Sequence, residues 1–315
     1  MAHAATLAQR GDGKLIAAWF AGSREGAGDV AIFSSVYDQD AWSAPQEIVN
    51  RQRVEHDTRR LIGKLGNPVL WRDARNVLHL WFVSASYGGW SGSAINHMQS
   101  SDDGRHWSAA TRIVTSPFWN LSTLVRNPPV ALADGGMALP SYHEFLCKRP
   151  EWLRFDRNLR LIDQARFPDS ARTLQPAVAA LDEHRALALM RDSEPPHRIH
   201  AAYTDDAGER WQPAVATSIP NPDSALALLH LADGTLLLAC NPSETNRSHL
   251  ALLRSRDEGR SWSAPLTIEQ GATEEEFSYP ALLEDSAGTV HLAYTWKRQT
   301  IKHVELSPAQ IEALR

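Results

Sequence analysis

The sequence predicts an all-β protein, a six-bladed β-propeller with four-stranded antiparallel blades. Two repeats support this prediction: six hairpin-like segments follow one another along the chain, and a polar octet that ends in tryptophan recurs beside several of them. Successive hairpin turns are spaced by roughly 50 to 60 residues, which is in the range of propeller repeats. Because no Pro/Gly/Ser-rich linker divides the chain, residues 1–315 are expected to form a single domain.

Each hairpin-like segment has a short apolar run, a polar turn and a second apolar run. The turns are rich in Asp and Gly, which tolerate positive φ and favour tight hairpins. The apolar runs of about five to eight residues suit strands better than helices. The six segments read ATLAQRGDGKLIAAWFA, PVLWRDARNVLHLWFVS, PVALADGGMALPSYH, AVAALDEHRALALMRD, LALLHLADGTLLLACN and ALLEDSAGTVHLAYTW.

The octet is expected to form the turn between the third and fourth strands of a blade. Its full copies are SSDDGRHW (Ser100–Trp107), TDDAGERW (Thr204–Trp211) and SRDEGRSW (Ser255–Trp262), and a copy without glycine is SVYDQDAW (Ser35–Trp42). The Asp is placed to accept hydrogen bonds from turn amides, the Gly to adopt a left-handed conformation, and the Trp to pack on the blade. The unit around Leu153–Pro168 lacks the octet.

Two packed β-sandwich domains are the alternative architecture, and the unbroken series of hairpins disfavours it. A helix is expected only at the end of the chain, in SPAQIEALR, with Ser307 as N-cap and Pro308 in the first position.

Composition narrows the classes of function. The chain of 315 residues is 43% hydrophobic and 22% charged, with a net charge of −5, which disfavours nucleic acid as a partner. No apolar run is long enough to span a bilayer, and no signal peptide is recognisable, so a cytoplasmic location is expected. Thirteen His residues show no metal-ligand spacing and two Cys exclude a disulfide framework, so neither a metal nor another cofactor is expected.

The first strand of each propeller blade lines the central channel, so residues at the starts of these strands should converge at one mouth. They are His3, Asn67, Arg126, Asn127, Gln175, Asn221, Asp223 and Tyr279. The ends of the second strands should add Arg24, Tyr87, Tyr142, His143, Glu144, Arg191, Asn241, Lys297 and Arg298. Nearly all of these side chains are able to hydrogen-bond or titrate, which indicates a binding site at this mouth.

Arginines are frequent in this set, and Arg198 and Arg247 are further candidates. Guanidinium groups bind carboxylates in a bidentate manner, so the cluster indicates an anionic ligand. Trp90, in a Gly/Ser loop where it is expected to be exposed, and Tyr87 are candidates for stacking on a sugar. The expected partner is therefore an anionic carbohydrate; alternatively, some arginines only brace loops by pairing with Glu25, Glu144 or Asp192.

The octets have the form Ser/Thr-x-Asp-x-Gly-x-x-Trp, and over essentially the whole chain the sequence resembles the sialidase (neuraminidase) superfamily. The resemblance implies an exo-acting glycoside hydrolase with an arginine triad for the substrate carboxylate, an Asp acid/base and a Tyr nucleophile activated by a Glu. SREGAGDVAIF resembles the segment with the catalytic Asp, here Asp29, which follows Arg24. ALALMRD and CNPSETNR resemble the triad segments of Arg191 and Arg247, and FSYPALLED the nucleophile segment of Tyr279.

Two positions depart from the superfamily pattern. His3 stands in HAAT where the Arg-Ile-Pro motif has its arginine, and Gln175 stands in LQPAV where the activating Glu is expected. An amide cannot take the tyrosine proton. These segments resemble a divergent bacterial branch, and the wider group includes uronate-directed polysaccharide lyases.

Three functions remain open from the sequence. Hydrolysis of an anionic sugar would use Asp29, Tyr279 and the arginines, with His3 or Glu144 replacing the missing base. β-Elimination from a uronic acid, for example at a rhamnosyl-glucuronate linkage, would use His143 or His3 as base and Tyr279 or Tyr142 as proton donor. The third function is sugar binding without catalysis.

Overall fold

Six antiparallel sheets make up the described part of the chain, which is residues 1–116 and 120–314 of the computed structural model. Blade 1 contains β1 (Ala2–Gln9), β2 (Leu15–Ala21), β3 (Ala31–Asp38), β4 (Ala41–Trp42) and β5 (Gln46–Val49). Blade 2 contains β6 (Lys64–Arg72), β7 (Leu78–Ala85), β8 (Ser93–Ser100) and β9 (Thr111–Arg112). Blade 3 contains β10 (Leu124–Val125), β11 (Val130–Ala131), β12 (Met137–Glu144), β13 (Lys148–Phe155) and β14 (Leu161–Arg166).

The second half of the chain forms the other three sheets. Blade 4 contains β15 (Thr173–Ala180), β16 (Ala186–Asp192), β17 (Arg198–Thr204) and β18 (Val215–Pro220). Blade 5 contains β19 (Ala227–His230), β20 (Leu236–Cys240), β21 (His249–Ser255) and β22 (Leu266–Gln270). Blade 6 contains β23 (Phe277–Glu284), β24 (Val290–Trp296) and β25 (Thr300–Leu306).

The sheets are arranged in a ring, because the innermost strand of each blade contacts that of the next, and β1 contacts β23 to close it. This confirms the predicted six-bladed propeller. Three blades depart from the four-stranded plan. In blade 1 both β4 and β5 pair with β3, in blade 3 both β10 and β11 pair with β12, and in blade 6 the described residues form three strands.

A short helix follows the last strand of blade 6. Helix α2 (Pro308–Glu312) begins after the N-cap Ser307, whose side chain and that of Gln310 form a capping box. Ile311 and Leu314 are buried in the core that blades 5 and 6 share. The helix prediction at Ser307 and Pro308 is therefore confirmed.

A second helix, α1 (Arg51–Thr58), links blades 1 and 2, so the expectation of a helix only at the end of the chain is wrong. The Asn50 side chain caps it by accepting a hydrogen bond from the Arg53 amide at 2.8 Å. Val54 is its one buried residue, so the segment has no apolar periodicity from which a helix is predicted. None of the described helices has the length and apolar character needed to cross a bilayer.

The three full octets form the turn between the third and fourth strands of blades 2, 4 and 5, as predicted. In each of them the leading hydroxyl accepts a hydrogen bond from the glycine amide, at 2.8–3.1 Å. The Asp carboxylate accepts one from an amide four residues later, at 2.8–2.9 Å. The copy in blade 1 is a two-residue turn, in which Gln39 and Asp40 both have positive φ.

The octet glycines also pack against the preceding blade. Gly104, Gly208 and Gly259 have φ values of 84°, 83° and 85°. Their open Cα faces lie against Ile16, Trp152 and Leu187, each of which belongs to the blade before. At these three positions the octet therefore allows the preceding blade to approach closely. This role is additional to forming the turn.

Substituting Gly208 with alanine should lower the free energy of unfolding by about 2–4 kcal/mol. The left-handed backbone costs an L-residue about 1 kcal/mol, and a methyl group forced against Trp152 adds an overpacking cost of about 1–3 kcal/mol. Gly234→Ala is the matched control, because Gly234 has φ 86° with no atom within 4 Å of an added Cβ. Denaturant unfolding should show a loss near 1 kcal/mol for the control, and equal losses for both variants would contradict the packing role.

Candidate active site on the propeller axis

Four inner strands carry a β-bulge where they approach one mouth of the channel. At each bulge a residue other than glycine has positive φ: Ala4 (56°), Asn67 (45°), Gln175 (53°) and Tyr279 (53°). Proline follows three of these residues and cannot donate to the strand ladder, which favours the interruption. A bulge redirects a side chain, and such strained positions concentrate at functional sites.

Tyr279 lies at the centre of the residues that meet on the axis. Its ring is 4.2 Å from the His3 ring and lies under the guanidinium carbons of Arg126 and Arg247, at 5.3 and 5.9 Å. Its hydroxyl accepts a hydrogen bond from Nη1 of Arg191 at 3.5 Å. Residues of blades 1, 3, 4 and 5 thus surround one tyrosine of blade 6, which is the convergence predicted from the strand starts.

Arg126 crosses the axis from blade 3 to the opposite blade. Its Nη2 donates to the carbonyls of Tyr279 and Pro280, at 2.8 and 2.9 Å, and its side chain is buried. Burial lowers the pKa of Arg126 to about 10, so the guanidinium stays charged at neutral pH. Arg126 therefore braces the bulge that positions Tyr279 and adds positive charge over the face of its ring.

Arg191 is the guanidinium that approaches the tyrosine hydroxyl. Asp223 Oδ1 lies 2.9 Å from its Nε, and Glu144 Oε1 lies 4.0 Å from its Nη2. Burial opposes its charge, but Tyr279 and Asp223 outweigh burial and raise the pKa of Arg191. With Asp223 beside Nε, Nη1 contacts the Tyr279 hydroxyl and Nη2 lies towards Glu144.

Arg247 completes the arginine cluster at the rim. Its Nη2 donates to the carbonyl of Asp223 at 2.7 Å, and its Nη1 lies 3.2 Å from Glu276. Glu276 also pairs with Arg298 at 3.3 Å, and Arg298 contacts Glu25 across the mouth. Acidic and basic side chains therefore alternate along the rim, and Arg247 belongs both to this series and to the arginine cluster of Arg126, Arg191 and Arg247.

Tyr142 forms the buried floor beside this cluster. Its hydroxyl accepts hydrogen bonds from Nδ2 of Asn67 at 3.1 Å and from Nε2 of Gln175 at 3.0 Å. Burial raises the pKa of Tyr142 well above its ordinary value. Gln175 stands at the position that the resemblance assigns to the activating carboxylate, and the contact that its side chain makes is with Tyr142 rather than Tyr279.

Glu144 follows Tyr142 on the same face of β12 by two residues. Burial raises its pKa, and the nearby charge of Arg191 offsets part of this effect. The Glu144 carboxyl is therefore a stronger base than an exposed carboxylate, and it faces the arginine that contacts the Tyr279 hydroxyl.

His143 lies between those two residues and faces the other way, because successive strand residues point to opposite faces. Its Nε2 is 2.6 Å from the buried carboxylate of Glu151, which is also 3.5 Å from Arg149. His143 and this carboxylate line an off-axis cavity of about 630 Å³. The structure therefore does not bring His143 to the cluster around Tyr279.

His3 is buried against Tyr279 and is already hydrogen-bonded. Thr295 Oγ1 accepts a hydrogen bond from the Ala4 amide at 3.1 Å and is hydrogen-bonded to His3 Nδ1 at 3.0 Å. Burial, followed by the charges of Arg298, Arg126 and Arg247, holds the pKa of His3 well below 6.5. The His3 imidazole is therefore neutral at neutral pH.

Asp29 and Arg24 lie in the exposed loop between β2 and β3, at the end of blade 1 where His3 pairs with Phe20. The Asp29 carboxylate accepts hydrogen bonds from Ser23 N and Ser23 Oγ, both at 2.9 Å. These bonds lower the pKa of Asp29. The hydrogen bonds and ion pairs of the described residues do not connect Arg24 or Asp29 to the arginine cluster.

The remaining predicted residues surround the site at greater distance. Asn241 is buried, and its Nδ2 donates to His249 O and Phe277 O at 2.7 and 2.8 Å, so it braces the start of β23. Trp90 is half-buried and packs on Gly66, not exposed as expected. Tyr87 is 75% exposed, and Lys297 at the rim pairs with Glu275.

Two residues at the site were not found by sequence reasoning. Glu276 pairs with Arg247 and Arg298, and Thr295 holds His3. The run Glu274-Glu275-Glu276 directly before the tyrosine strand was a usable signal for the first. Thr295 lies inside the apolar strand β24 of blade 6, whereas His3 belongs to blade 1, and no local sequence pattern identifies Thr295 as a site residue.

Comparison with known proteins places this geometry in a family. The model of the BNR repeat-like domain matches residues 13–292. No curated protein matches the chain.

Solved structures share the fold over the whole chain. The Hadza microbial sialidase Hz136 is 17% identical with a TM-score of 0.83, and the match covers 100% of this chain and 66% of that one. The intramolecular trans-sialidase from Ruminococcus gnavus is 12% identical with a TM-score of 0.80, covering 100% and 96%. The NanB sialidase from Streptococcus pneumoniae is 10% identical with a TM-score of 0.79, covering 98% and 69%. The chain belongs to the BNR repeat-like family, with the six-bladed propeller of the sialidases.

Proposed function

We propose that the chain is a glycoside hydrolase that removes a terminal anionic sugar, of the sialic or uronic acid type, bound on the propeller axis. The observation that carries the proposal is the Tyr279 hydroxyl, which contacts Arg191 while Arg126 and Arg247 lie over its ring. A nucleophilic oxygen next to a carboxylate-binding group is the arrangement that this reaction requires.

An anionic substrate is supported by the charges around the tyrosine. Three guanidinium groups meet at Tyr279: Arg191 lies beside Asp223 and Glu144, Arg247 pairs with Glu276, and no carboxylate of the described residues pairs with Arg126. Two of the similar structures are complexes with ligands that have an acidic group, an ethanesulfonate in the NanB sialidase and oseltamivir carboxylate in the Ruminococcus gnavus enzyme. A carboxylate on the sugar would compete with Glu144 for Nη2 of Arg191, which lies 4.0 Å from Glu144, and extend towards Arg247.

The proposed reaction has two steps. In the first, the Tyr279 oxygen bonds to the anomeric carbon, the bond to the leaving oxygen breaks, Glu144 takes the phenol proton and Asp29 gives a proton to the leaving group. In the second, water replaces Tyr279 and gives its proton to Asp29, while Glu144 returns the proton to Tyr279. The anomeric configuration is then retained. Asp29 has to give up its hydrogen bonds from Ser23 before it holds a proton.

Glu144 takes the role that Gln175 cannot fill. Gln175 has no titratable group and contacts Tyr142, whereas Glu144 is a carboxyl with a raised pKa beside Arg191. Arg191 contacts the Tyr279 hydroxyl at 3.5 Å and lies 4.0 Å from Glu144, so the base has to move past this guanidinium to reach the phenol.

Substituting Glu144 with glutamine should lower kcat by about 100-fold, which is the low end of what a positioned base contributes. Steady-state kinetics on an anionic aryl glycoside provides the measurement. Glu209→Gln is the matched control, since Glu209 is exposed in the blade 4 octet and pairs with Arg154 at 3.0 Å. Equal kcat values for wild type and the Glu144 variant would exclude Glu144 as the base.

Elimination has less support from the geometry. His143 faces away from the axis towards Glu151, and the second histidine considered as base, His3, has its Nδ1 occupied by Thr295. Hydrolysis requires neither imidazole, so the same arrangement favours it.

One assay distinguishes the candidate functions. The protein is incubated in parallel with 4-methylumbelliferyl sialoside and with a rhamnosyl-glucuronate polymer, while fluorescence and near-ultraviolet absorbance are recorded. Hydrolysis predicts released fluorophore or reducing sugar without new absorbance. An unsaturated, absorbing product indicates a lyase, and saturable binding without any product indicates a binding protein; either result overturns the proposal.

A further inference from the structure

Blade 2 contains a hydrogen-bonded pair of histidines. His79 Nδ1 lies 3.0 Å from His97 Nε2, and His79 Nε2 lies 3.4 Å from Asp73 in the preceding turn. The rings of Trp71 and Trp81 cover the pair. Their centroids lie 5.0–5.5 Å from the histidine ring centroids and 6.1 Å from each other. His79 is fully buried.

Blade 6 repeats this arrangement. His291 Nδ1 lies 3.0 Å from His303 Nε2, and His291 Nε2 lies 3.2 Å from Asp285 in the preceding turn. In both blades the aspartate precedes the first histidine by six residues, as read from the sequence. The pair is therefore a feature of the blade repeat that two blades have kept.

The blade 6 pair differs from that of blade 2 in two respects. The residue opposite His291 across the strands is Glu305, whereas the residue opposite His79 is Gln99. The residue across from the first histidine on the inner strand is Trp71 in blade 2 and Leu283 in blade 6. Two residues after that histidine, blade 2 has Trp81 and blade 6 has Ala293. Blade 6 thus adds a carboxylate, and the large rings that lie against its histidines, Tyr37 and Trp42, come from blade 1.

We propose that His291 Nδ1, His303 Nε2 and the Glu305 carboxylate bind a divalent transition-metal ion such as Zn²⁺, a site separate from the axis. The three ligand atoms lie within 4.8 Å of one another, and Glu305 Oε1 is 3.7 Å from His291 Nδ1. Tetrahedral ligands at about 2.0–2.1 Å from zinc are about 3.4 Å apart, so the separations suit one ion. Two histidines and a glutamate form a known zinc donor set.

The surroundings orient the first ligand as metal sites require. Asp285 accepts from Nε2 of His291, which leaves Nδ1 unprotonated and directed at His303 and Glu305. A carboxylate behind a ligating histidine raises the basicity of that ligand. Glu305 is 41% exposed, so an ion has access from solvent.

One contact opposes metal binding. Trp42 Nε1 of blade 1 lies 3.3 Å from His303 Nδ1, to which it donates. Coordination through Nε2 places the ring proton on Nδ1, so this hydrogen bond has to break. Trp42→Phe should therefore leave metal affinity equal or higher.

The test uses tag-free, EDTA-treated protein titrated with Zn²⁺ against a chelating dye, and with Co²⁺ followed by its visible absorption. We expect one saturable equivalent, and a rise in melting temperature of about 4 °C at a zinc concentration near 100 times Kd. Glu305→Gln should weaken binding about tenfold or more and bleach the cobalt spectrum. Asp285→Asn should weaken it about tenfold through ligand orientation.

His97→Gln in blade 2 is the matched control and should leave Kd unchanged within about twofold. Glu305→Gln alters an exposed residue, so loss of binding in that variant is separable from misfolding by circular dichroism. The proposal is overturned if no saturable site is found at micromolar metal. It is equally overturned if the blade 2 variant loses the same affinity, or if Glu305→Gln binds as wild type does.

Discussion

Tyr279→Phe should lower kcat on an anionic glycoside by at least about 1,000-fold, while the Kd of the same sugar changes by less than about threefold. Removing the hydroxyl removes the attacking oxygen of the proposed reaction, and nucleophile loss is among the largest single effects in covalent catalysis. The ring itself remains, so its packing on His3 and under Arg126 is kept. Single-turnover kinetics and calorimetric binding measure the two quantities separately.

Tyr203→Phe is the control for this substitution. Tyr203 in blade 4 donates through its hydroxyl to the carbonyl of Glu258 at 3.2 Å, away from the axis. Tyr203→Phe should leave kcat unchanged and lower the free energy of unfolding by about 1 kcal/mol, because one hydrogen bond is lost. If Tyr279→Phe kept most of the wild-type kcat, Tyr279 would not be the nucleophile.

Arg191→Lys should weaken binding of an anionic sugar by about 30- to 100-fold. A charge-assisted hydrogen bond contributes about 1.5–3 kcal/mol, and lysine lacks the planar fork that binds a carboxylate with two bonds. Lysine also lacks the Nε that Asp223 holds at 2.9 Å, so its charge is no longer oriented. The measured effect should fall on Kd and KM more than on kcat.

The control for this change lies at the other end of the same strand. Arg185 directly precedes β16, is 44% exposed, and pairs with Asp182 and Glu258 at 2.6 and 2.8 Å. Arg185→Lys should leave ligand affinity within twofold. Similar losses for both variants would mean that net charge, and not the geometry at Arg191, governs binding.

The propeller was predictable because two sequence patterns recur from blade to blade, the hairpin turns and the octets. Octet positions have fixed roles, such as the hydroxyl of Ser100 and the left-handed backbone of Gly104, so a pattern of residue types identifies the turn. Helix α1 was missed because its cap, Asn50, and its one buried residue, Val54, act through contacts that no periodicity reveals.

The sequence predicted that polar side chains from several blades meet at one mouth of the channel. It did not predict which of these side chains contact one another. The strand starts place His3 against Tyr279 and Gln175 against Tyr142, and Arg191, from the end of a second strand, contacts the Tyr279 hydroxyl. Strand ends were less informative, because whether His143 or Glu144 faces the axis depends on the register of β12. Burial and neighbouring charges then decide protonation, as they do for His3.

The blade 6 histidines show the same limit more clearly. His291 and His303 are twelve residues apart, a spacing that matches no familiar ligand motif, and for this reason no metal was expected from the sequence. Their approach to 3.0 Å, and that of Glu305 to 3.7 Å, follow from the pairing of β24 with β25.

The most direct test of the central claim is the affinity of the protein for N-acetylneuraminic acid compared with its methyl ester, measured under identical salt. The two ligands differ only at the carboxyl group, which is charged in the acid and a neutral methyl ester in the other, so the comparison tests what the arginine cluster of Arg126, Arg191 and Arg247 recognises. We predict that the acid binds at least about 30-fold more tightly and that Arg191→Lys removes most of this preference. Equal affinity for acid and ester, with the acid binding measurably, would contradict an axial site built for an anionic sugar.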